Sequence, residues 1–132
     1  MKSIFEHIVP RNDFSPPEKV VRSLEAHFGQ LLNVEWFEED GFYEAVFYHD
    51  DMECIALFDE EGGLQVYKRN LPLNSVSQPV AIQADSVGEL MNLIEISQHG
   101  KLYFEIIARD KYLDRFFLLL EEDGTVIEKR KL

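Results

Sequence analysis

One pattern in this sequence occurs twice, and it constrains the fold more than any other feature. Residues 59–69 read DEEGGLQVYKR and residues 121–131 read EEDGTVIEKRK. Each copy places an acidic, glycine-containing turn between an apolar run and a β-branched run that ends in basic residues, which is typical of a β-hairpin. A repeat of this kind predicts one structural unit written twice.

An Asp-Gly pair at Asp40-Gly41 separates two aromatic and β-branched runs, 34–39 and 42–48. This pair predicts a two-residue hairpin turn, because such turns need a positive φ that Asp and Gly tolerate. With Asp40 and Gly41 in the turn, Glu39 faces Phe42 and Trp36 faces Ala45 across the hairpin. Side chains alternate along a strand, so this register also fixes which residues share a face of the sheet.

The two predicted faces differ sharply in composition. One face is almost wholly apolar; after a second tight turn at Asp50-Asp51 it carries Val34, Trp36, Tyr43, Ala45, Phe47, Cys54, Ala56 and Phe58. The other, called the mixed face below, carries Glu35, Phe37, Glu39, Phe42, Glu44, Val46, Tyr48, Glu53, Ile55 and Leu57. We expect a helix to cover the apolar face, since a helix packs on one face of a sheet.

That helix is predicted over residues 16–28. The segment 15–18, Ser-Pro-Pro-Glu, matches a capping box with proline at the first helical position, and Gly29 supplies a stop. A fourth strand is predicted over 64–69.

The second unit is predicted to repeat this order. A short helix is favoured where Val76, Val80, Ala84 and Val87 form one stripe, with a capping box at 75–78 and a stop at Gly88, although 80–84 also alternates like a strand. Strands are expected over 91–97, 102–109, 113–120 and 126–131, with turns at His99-Gly100 and Asp123-Gly124.

The predicted fold is therefore α+β, a tandem repeat of one helix packed on a four-stranded antiparallel sheet, with the two sheets continuous. We expect an N-terminal arm at 1–14 and a single compact domain at 15–132, made of repeat one (15–70) and repeat two (71–132). A chain of 132 residues, 45% of them hydrophobic, is large enough for such a core.

Charge narrows the classes of partner. The net charge is −12, and the segment from Ser23 to Tyr67 contains acids but no Lys or Arg. Such a surface repels phosphate backbones and anionic lipid, so nucleic-acid binding and membrane insertion are not expected, while a basic protein or a divalent cation would be attracted. The alternative is that this acidic surface only keeps the protein in solution. With neither a signal-peptide core nor a membrane-length apolar run, the sequence suggests a cytoplasmic protein, or an exported one if a leader has been trimmed.

Catalytic signatures are not apparent, and we expect neither an enzyme nor a cofactor. His7, His27, His49 and His99 lack metal-ligand spacing, and the single Cys54 is best interpreted as a buried side chain. The acidic turns lack the alternating oxygen ligands of a calcium loop and are better explained as hairpin turns. The pairs Glu35/Glu44 and Glu44/Glu53 are possible acid–base dyads, but solvated carboxylates explain them more simply.

The mixed face carries the functional prediction. Phe37, Phe42 and Tyr48 exceed what a helix on the opposite face can cover, so they are candidate anchors for a protein partner, with Glu35, Glu44 and Glu53 steering a basic one. These aromatic residues would also be covered by the N-terminal arm, through Phe5, Ile8 and Phe14, or by a second copy of the chain. The protein would be a monomer in the first case and a homodimer in the second. The alternative function is binding of a small ligand or divalent cation in a cleft between the repeats.

A family resemblance adds to this interpretation. It rests on the helix 17–28, Val34-Glu35-Trp36, the segments 43–47 and 56–62, Leu71-Pro72, Tyr103-Phe104-Glu105 and the turn 122–124. From Ser15 onward the chain resembles the PepSY-like proteins grouped with β-lactamase-inhibitor-like folds. The resemblance implies two helix-plus-sheet repeats with a continuous, often concave sheet, and a non-enzymatic binding or inhibitory module exported to the periplasm or cell surface. It does not imply inhibition of a β-lactamase.

Overall fold

The computed structural model describes residues 14–132, so all of the predicted arm except Phe14 lies outside the described residues. The elements in chain order are α1 (Glu18–Phe28), β1 (Glu35–Glu39), β2 (Phe42–His49), β3 (Met52–Phe58), β4 (Leu64–Asn70), a 3-10 turn (Leu73–Ser75), α2 (Gln78–Val87), β5 (Glu89–Gln98), β6 (Lys101–Arg109), β7 (Arg115–Glu121) and β8 (Val126–Lys131). The eight strands hydrogen-bond in chain order within one sheet. The α+β class and the continuous antiparallel sheet are confirmed.

The chain divides into two compact units, one ending at Tyr67 (unit 1) and one beginning at Lys68 (unit 2). The division precedes the repeat boundary that we placed between residues 70 and 71.

The first hairpins of unit 1 follow the predicted register. Glu39 pairs with Phe42 and Trp36 with Ala45, around a turn in which Asp40 and Gly41 have φ of 51° and 79°. Asp50 and Asp51, with φ of 52° and 62°, connect β2 to β3, and these strands pair from His49–Met52 onward. The turn residues thus set which side chains share a face, as the sequence predicted.

The core of unit 1 lies between α1 and the predicted apolar face. Val20 and Leu24 of α1 are buried against the sheet residues Ala45, Phe47, Cys54, Ala56 and Phe58. Phe28 extends the contact, its ring centroid lying 5.0 Å from that of Phe47 and 4.8 Å from that of Tyr67. The prediction that a helix covers the apolar face, and that Cys54 is buried, is confirmed.

The predicted start of α1 is wrong. The helix begins at Glu18, with Pro17 as its N-cap at φ −54° and ψ 145° and no side-chain capping bond. Pro16 precedes a proline, and a residue in that position is driven out of the helical region, so the helix cannot begin there. The Pro17 carbonyl accepts the first helical hydrogen bonds, from the N–H groups of Val20 at 3.0 Å and Val21 at 3.2 Å.

Unit 2 places α2 on its own stretch of sheet. Val80 and Ala84 are buried against Leu93, Phe104, Ile106, Leu118 and Leu120, with Val76 and Val87 packed beside them. The predicted apolar stripe is confirmed, and the alternative strand over 80–84 is wrong. The capping box at Ser75 is also wrong: Ser75 ends the 3-10 turn and its hydroxyl donates to the Pro72 carbonyl at 2.7 Å, while Ser77 is the N-cap and forms no side-chain capping bond.

The second sheet segment differs from prediction mainly at β7. Gln98 pairs with Lys101 around the predicted His99-Gly100 turn, and β8 has the predicted bounds. However, β7 begins at Arg115 rather than Leu113. The Asp110 carboxylate accepts hydrogen bonds from the N–H groups of Tyr112 at 2.9 Å and Asp114 at 3.0 Å, so these residues form a loop instead.

Candidate binding surface

The mixed face of unit 1 lies on the side of β1–β3 opposite to α1. Tyr48 is 69% exposed and Phe42 is 42% exposed, whereas Phe37 is half-buried. Two of the three predicted anchors are therefore open to solvent. Phe37 is less available than the alternation alone suggested.

The strand register sets each of these aromatic residues directly opposite a carboxylate. The cross-strand pairs are Phe37 with Glu44 and Phe42 with Glu39, and Tyr48 with Glu53. Side chains directly opposite in an antiparallel pair have Cβ atoms about 5 Å apart, close enough to bind one ligand group together. Glu39 was not among the predicted site residues; the Asp-Gly turn, which sets it opposite Phe42, was the signal that could have found it.

The remaining predicted carboxylates are arranged differently. Glu35 is exposed and lies opposite Val46, diagonal to Glu44. Glu44 lies opposite Leu57, four positions along β3 from Glu53. This spacing is roughly 13 Å along an extended strand, so Glu44 and Glu53 are not a proton-sharing pair, contrary to one of our alternatives.

The centre of the mixed face is apolar. Ile55 is 4% exposed, and its cross-strand partner Val46 is half-buried, as is Leu57. Phe14, which we considered as a cover for this face, stacks on Tyr43 with ring centroids 6.2 Å apart, and Tyr43 packs against the α1 side of the sheet. Phe5, Ile8 and His7 lie outside the described residues.

The acidic turn of unit 1 uses its side chains to hold its own backbone. One oxygen of Asp59, Oδ1, accepts hydrogen bonds from the N–H groups of Glu61 at 2.9 Å and Gly63 at 2.8 Å. Glu61 also binds the Lys19 ammonium group at 2.8 Å, and this hydrogen bond raises the pKa of Lys19. Between residues 14 and 132, no three His, Cys, Asp or Glu side chains are grouped as metal ligands.

The corresponding turn of unit 2 borders a shallow depression of about 540 Å³ that the sequence did not indicate. It is lined by Gly100, Lys101, Leu102, Tyr103, Glu121, Glu122 and Asp123. The Thr125 N–H donates to the Asp123 carboxylate at 2.9 Å, and this bond lowers the pKa of Asp123. As in unit 1, an acidic side chain of the turn stabilises the turn itself.

No helix in the described part of the chain is both long and apolar enough to cross a membrane.

Comparisons with known proteins support the fold. No family model matches the chain, and neither does any curated protein sequence. Solved structures do match: a candidate periplasmic protein from Bacteroides eggerthii has a TM-score of 0.78 at 15% identity, over 89% of this chain and 90% of that one. A DUF2874 family protein from Bacteroides ovatus has a TM-score of 0.77 at 17% identity, over 89% of each chain. A BLIP-like protein from Bacteroides fragilis has a TM-score of 0.75 at 12% identity, over 92% of this chain and 89% of that one.

At these identities the likeness concerns the fold alone. The BLIP-like neighbour supports the β-lactamase-inhibitor-like fold named above, while the PepSY-like part of the resemblance stays a prediction.

Proposed function

We propose that this chain is a non-enzymatic protein-binding module that uses the mixed face of unit 1 to bind a basic partner. The observation that carries the proposal is the cross-strand pairing of Phe37, Phe42 and Tyr48 with a carboxylate each. The anchors are Phe42 and Tyr48, and Phe37 lies diagonal to Phe42.

An aromatic ring next to a carboxylate suits a guanidinium or ammonium group. The cation is attracted to the face of the ring, and the carboxylate accepts its N–H donors. Arginine benefits most, because its planar group can stack on the ring and bond to the carboxylate at once. We therefore expect the partner to present arginine side chains to Phe42 with Glu39 and to Tyr48 with Glu53.

The charge of unit 1 supports the same partner. Glu35, Glu44 and Glu53 belong to the segment between Ser23 and Tyr67 that contains no Lys or Arg. Carboxylates concentrated on one surface raise the rate at which a basic protein meets it, and salt screens this effect.

We further propose that the two units descend from one duplicated helix-plus-four-strand unit. A shared packing detail supports this: a Cβ on Gly62 would lie 2.9 Å from the Lys19 carbonyl oxygen, and one on Gly124 would lie 2.9 Å from the Pro79 carbonyl oxygen. Lys19 and Pro79 are each the second residue of their helix. In both units, the turn that precedes the last strand thus approaches the same point of the helix.

For the location we propose the periplasm or cell surface, supported by the structural likeness to the candidate periplasmic protein. Fractionation of the native host, with immunodetection of the chain, tests it; recovery only with the cytoplasm contradicts it.

Binding is tested with an arginine-rich peptide and its citrulline counterpart, which keeps the shape of the side chain but lacks the charge. We expect wild-type protein to bind the arginine peptide and not the citrulline peptide. Phe42→Ala/Tyr48→Ala should weaken binding although the net charge is unchanged, and Glu39→Gln/Glu53→Gln should weaken it although the rings remain. Fluorescence anisotropy measures all of these.

The matched control is Tyr112→Ala, which removes a 72% exposed tyrosine from unit 2. It should bind like wild type. If Phe42→Ala/Tyr48→Ala also binds like wild type, the aromatic anchors are wrong. If that variant melts far below wild type, Phe42 and Tyr48 belong to the core and not to a binding surface.

A further inference from the structure

The first and last strands of the sheet are its two edges. Among the described residues, β1 pairs only with β2 and β8 only with β7. An edge strand presents backbone N–H and C=O groups that can pair with another chain.

On β1, these outward-directed groups belong to Trp36 and Glu38. Glu39 and Phe42 flank a two-residue turn, and such a flanking pair exchanges hydrogen bonds across the hairpin. Because hydrogen-bonding direction alternates along a strand, Glu39, Phe37 and Glu35 bond to β2. Trp36 and Glu38 therefore direct their backbone groups away from the sheet.

On β8, the outward-directed groups belong to Lys129 and Lys131. The Leu132 N–H donates to the Arg115 carbonyl at 2.8 Å, so Leu132, Arg130 and Glu128 bond to β7, in the register that pairs Phe117 with Arg130. Lys129 and Lys131 alternate with them and face outward.

The two edges are complementary in charge and in the face that their side chains occupy. The outward positions are Glu38 on one edge and two lysines on the other. Trp36 packs on the α1 side of unit 1, so Glu38 is on that side too. Lys131 lies opposite Phe116, which packs on the α2 side of unit 2. When these edges join, side chains on the α2 side of β8 in one copy therefore continue onto the α1 side of β1 in the next.

We propose that copies of this chain associate head to tail, with β8 of one copy adding antiparallel to β1 of another. The register that uses every outward position sets Glu38 opposite Lys129 and Trp36 opposite Lys131. It also sets Glu39 opposite Glu128, whose carboxylate already binds Arg130 at 2.9 Å. Joining two β1 edges would instead oppose glutamates, and joining two β8 edges would oppose lysines, so the unlike pair is favoured. This inference does not depend on the proposed partner-binding face.

The test is sedimentation of the purified protein from micromolar to millimolar concentration. We expect the weight-average mass to rise with concentration, in a buffer with enough salt to screen the repulsion between copies of net charge −12. Glu38→Lys and Lys129→Glu should each weaken association roughly fivefold by opposing like charges. An equimolar mixture of the two variants should associate as wild type does, because each junction again pairs Glu with Lys.

Two further variants separate strand addition from general charge effects. Lys129→Pro removes an outward N–H but no hydrogen bond to β7, so it should abolish association while the fold persists. Glu25→Lys makes the same charge change as Glu38→Lys on the exposed side of α1 and should leave association unchanged. A monomer at every concentration overturns the proposal, as does a mixture of the charge variants that fails to associate.

Discussion

Leu113 occupies the same position in its hairpin loop as Gly62 does in another loop of the chain. In loop 59–63 the Asp59 N–H donates to the Gly63 carbonyl at 3.0 Å, and the Gly62 N–H donates to the Asp59 carbonyl at 3.1 Å. Loop 110–114 has the same two bonds: the Asp110 N–H donates to the Asp114 carbonyl at 2.9 Å, and the Leu113 N–H donates to the Asp110 carbonyl at 3.0 Å. The φ angles are 86° at Gly62 and 68° at Leu113. Leu113 is also 69% exposed, so little packing offsets a backbone conformation that favours glycine.

We expect Leu113→Gly to stabilise the protein. A left-handed non-glycine residue costs roughly 1–2 kcal/mol, and the greater freedom of glycine in the unfolded chain offsets roughly 0.5–1 kcal/mol of the gain. The free energy of unfolding in urea should therefore rise by about 0.5–1 kcal/mol.

Tyr112→Gly is the matched control, because Tyr112 is 72% exposed in the same loop but is not among the residues with positive φ. It should be neutral or destabilising. Equal effects of the two substitutions would show that the φ of Leu113 carries no strain.

Gly124 is required both because its φ is positive and because it lies close to the backbone of α2. At φ 93°, a Cβ there would lie 2.9 Å from the Pro79 carbonyl oxygen, an atom of the helix backbone that cannot easily move. Gly124→Ala should therefore cost about 2 kcal/mol or more, from the φ penalty and the clash together.

Gly100→Ala isolates the first of these penalties, since Gly100 has φ 75° but nothing within 4 Å of its Cβ position. It should cost about 1 kcal/mol in the same urea experiment. Were the two variants equally stable, the close approach to Pro79 would be energetically unimportant.

The fold was predictable where local residues decide it. Asp40-Gly41 and Asp50-Asp51 fix two turns through their own backbone preferences, and once these are set, alternation assigns every residue of β2 and β3 to a face. The predictions failed where a neighbouring group competes. Pro17 keeps Pro16 out of the helical conformation, so α1 begins later than we predicted. The Asp110 carboxylate binds the N–H groups of Tyr112 and Asp114, so the first residues of the strand predicted over 113–120 lie in a loop.

The sequence likewise predicted only part of the candidate site. Alternation placed Phe37, Phe42 and Tyr48 on one face of the sheet, but it could not give their exposure, because exposure depends on residues from other parts of the chain. Phe37 is half-buried, unlike Phe42 and Tyr48. The approach of Gly124 to Pro79 was likewise hidden, since it joins two elements that the sequence separates.

Glu95 is held by two nitrogen atoms of Arg69, Nε at 2.9 Å and Nη2 at 2.7 Å. The side chains are only 31% and 17% exposed for Arg69 and Glu95, so water replaces a lost bond poorly. Glutamine at position 95 keeps an acceptor oxygen but lacks the negative charge, so we expect Glu95→Gln to lower the free energy of unfolding by about 1–3 kcal/mol, because the Arg69 charge is left partly buried without its counter-charge.

Glu18→Gln provides the comparison, because the Glu18–Arg22 pair at 2.6 Å is 76% and 74% exposed. It should cost no more than about 0.5 kcal/mol. Equal losses at the two sites would mean that burial does not strengthen the Arg69–Glu95 pair.

Glu105 should make the stability of the protein depend on pH. Burial raises the pKa of this carboxyl above its ordinary value of 4.5, against the opposing attraction of Lys68 and Arg130. The folded state then holds the Glu105 proton more tightly than the unfolded state, so this group's contribution to stability falls as pH rises from 4.5 through the folded-state pKa.

Glu105→Gln removes the penalty of the buried charge. We expect this variant to be more stable than wild type near neutral pH, with the difference shrinking as the pH is lowered past the folded-state pKa. Urea unfolding at a series of pH values measures it, with the exposed Glu60→Gln as control; a Glu105→Gln variant that is less stable than wild type at neutral pH would show that Lys68 and Arg130 outweigh burial.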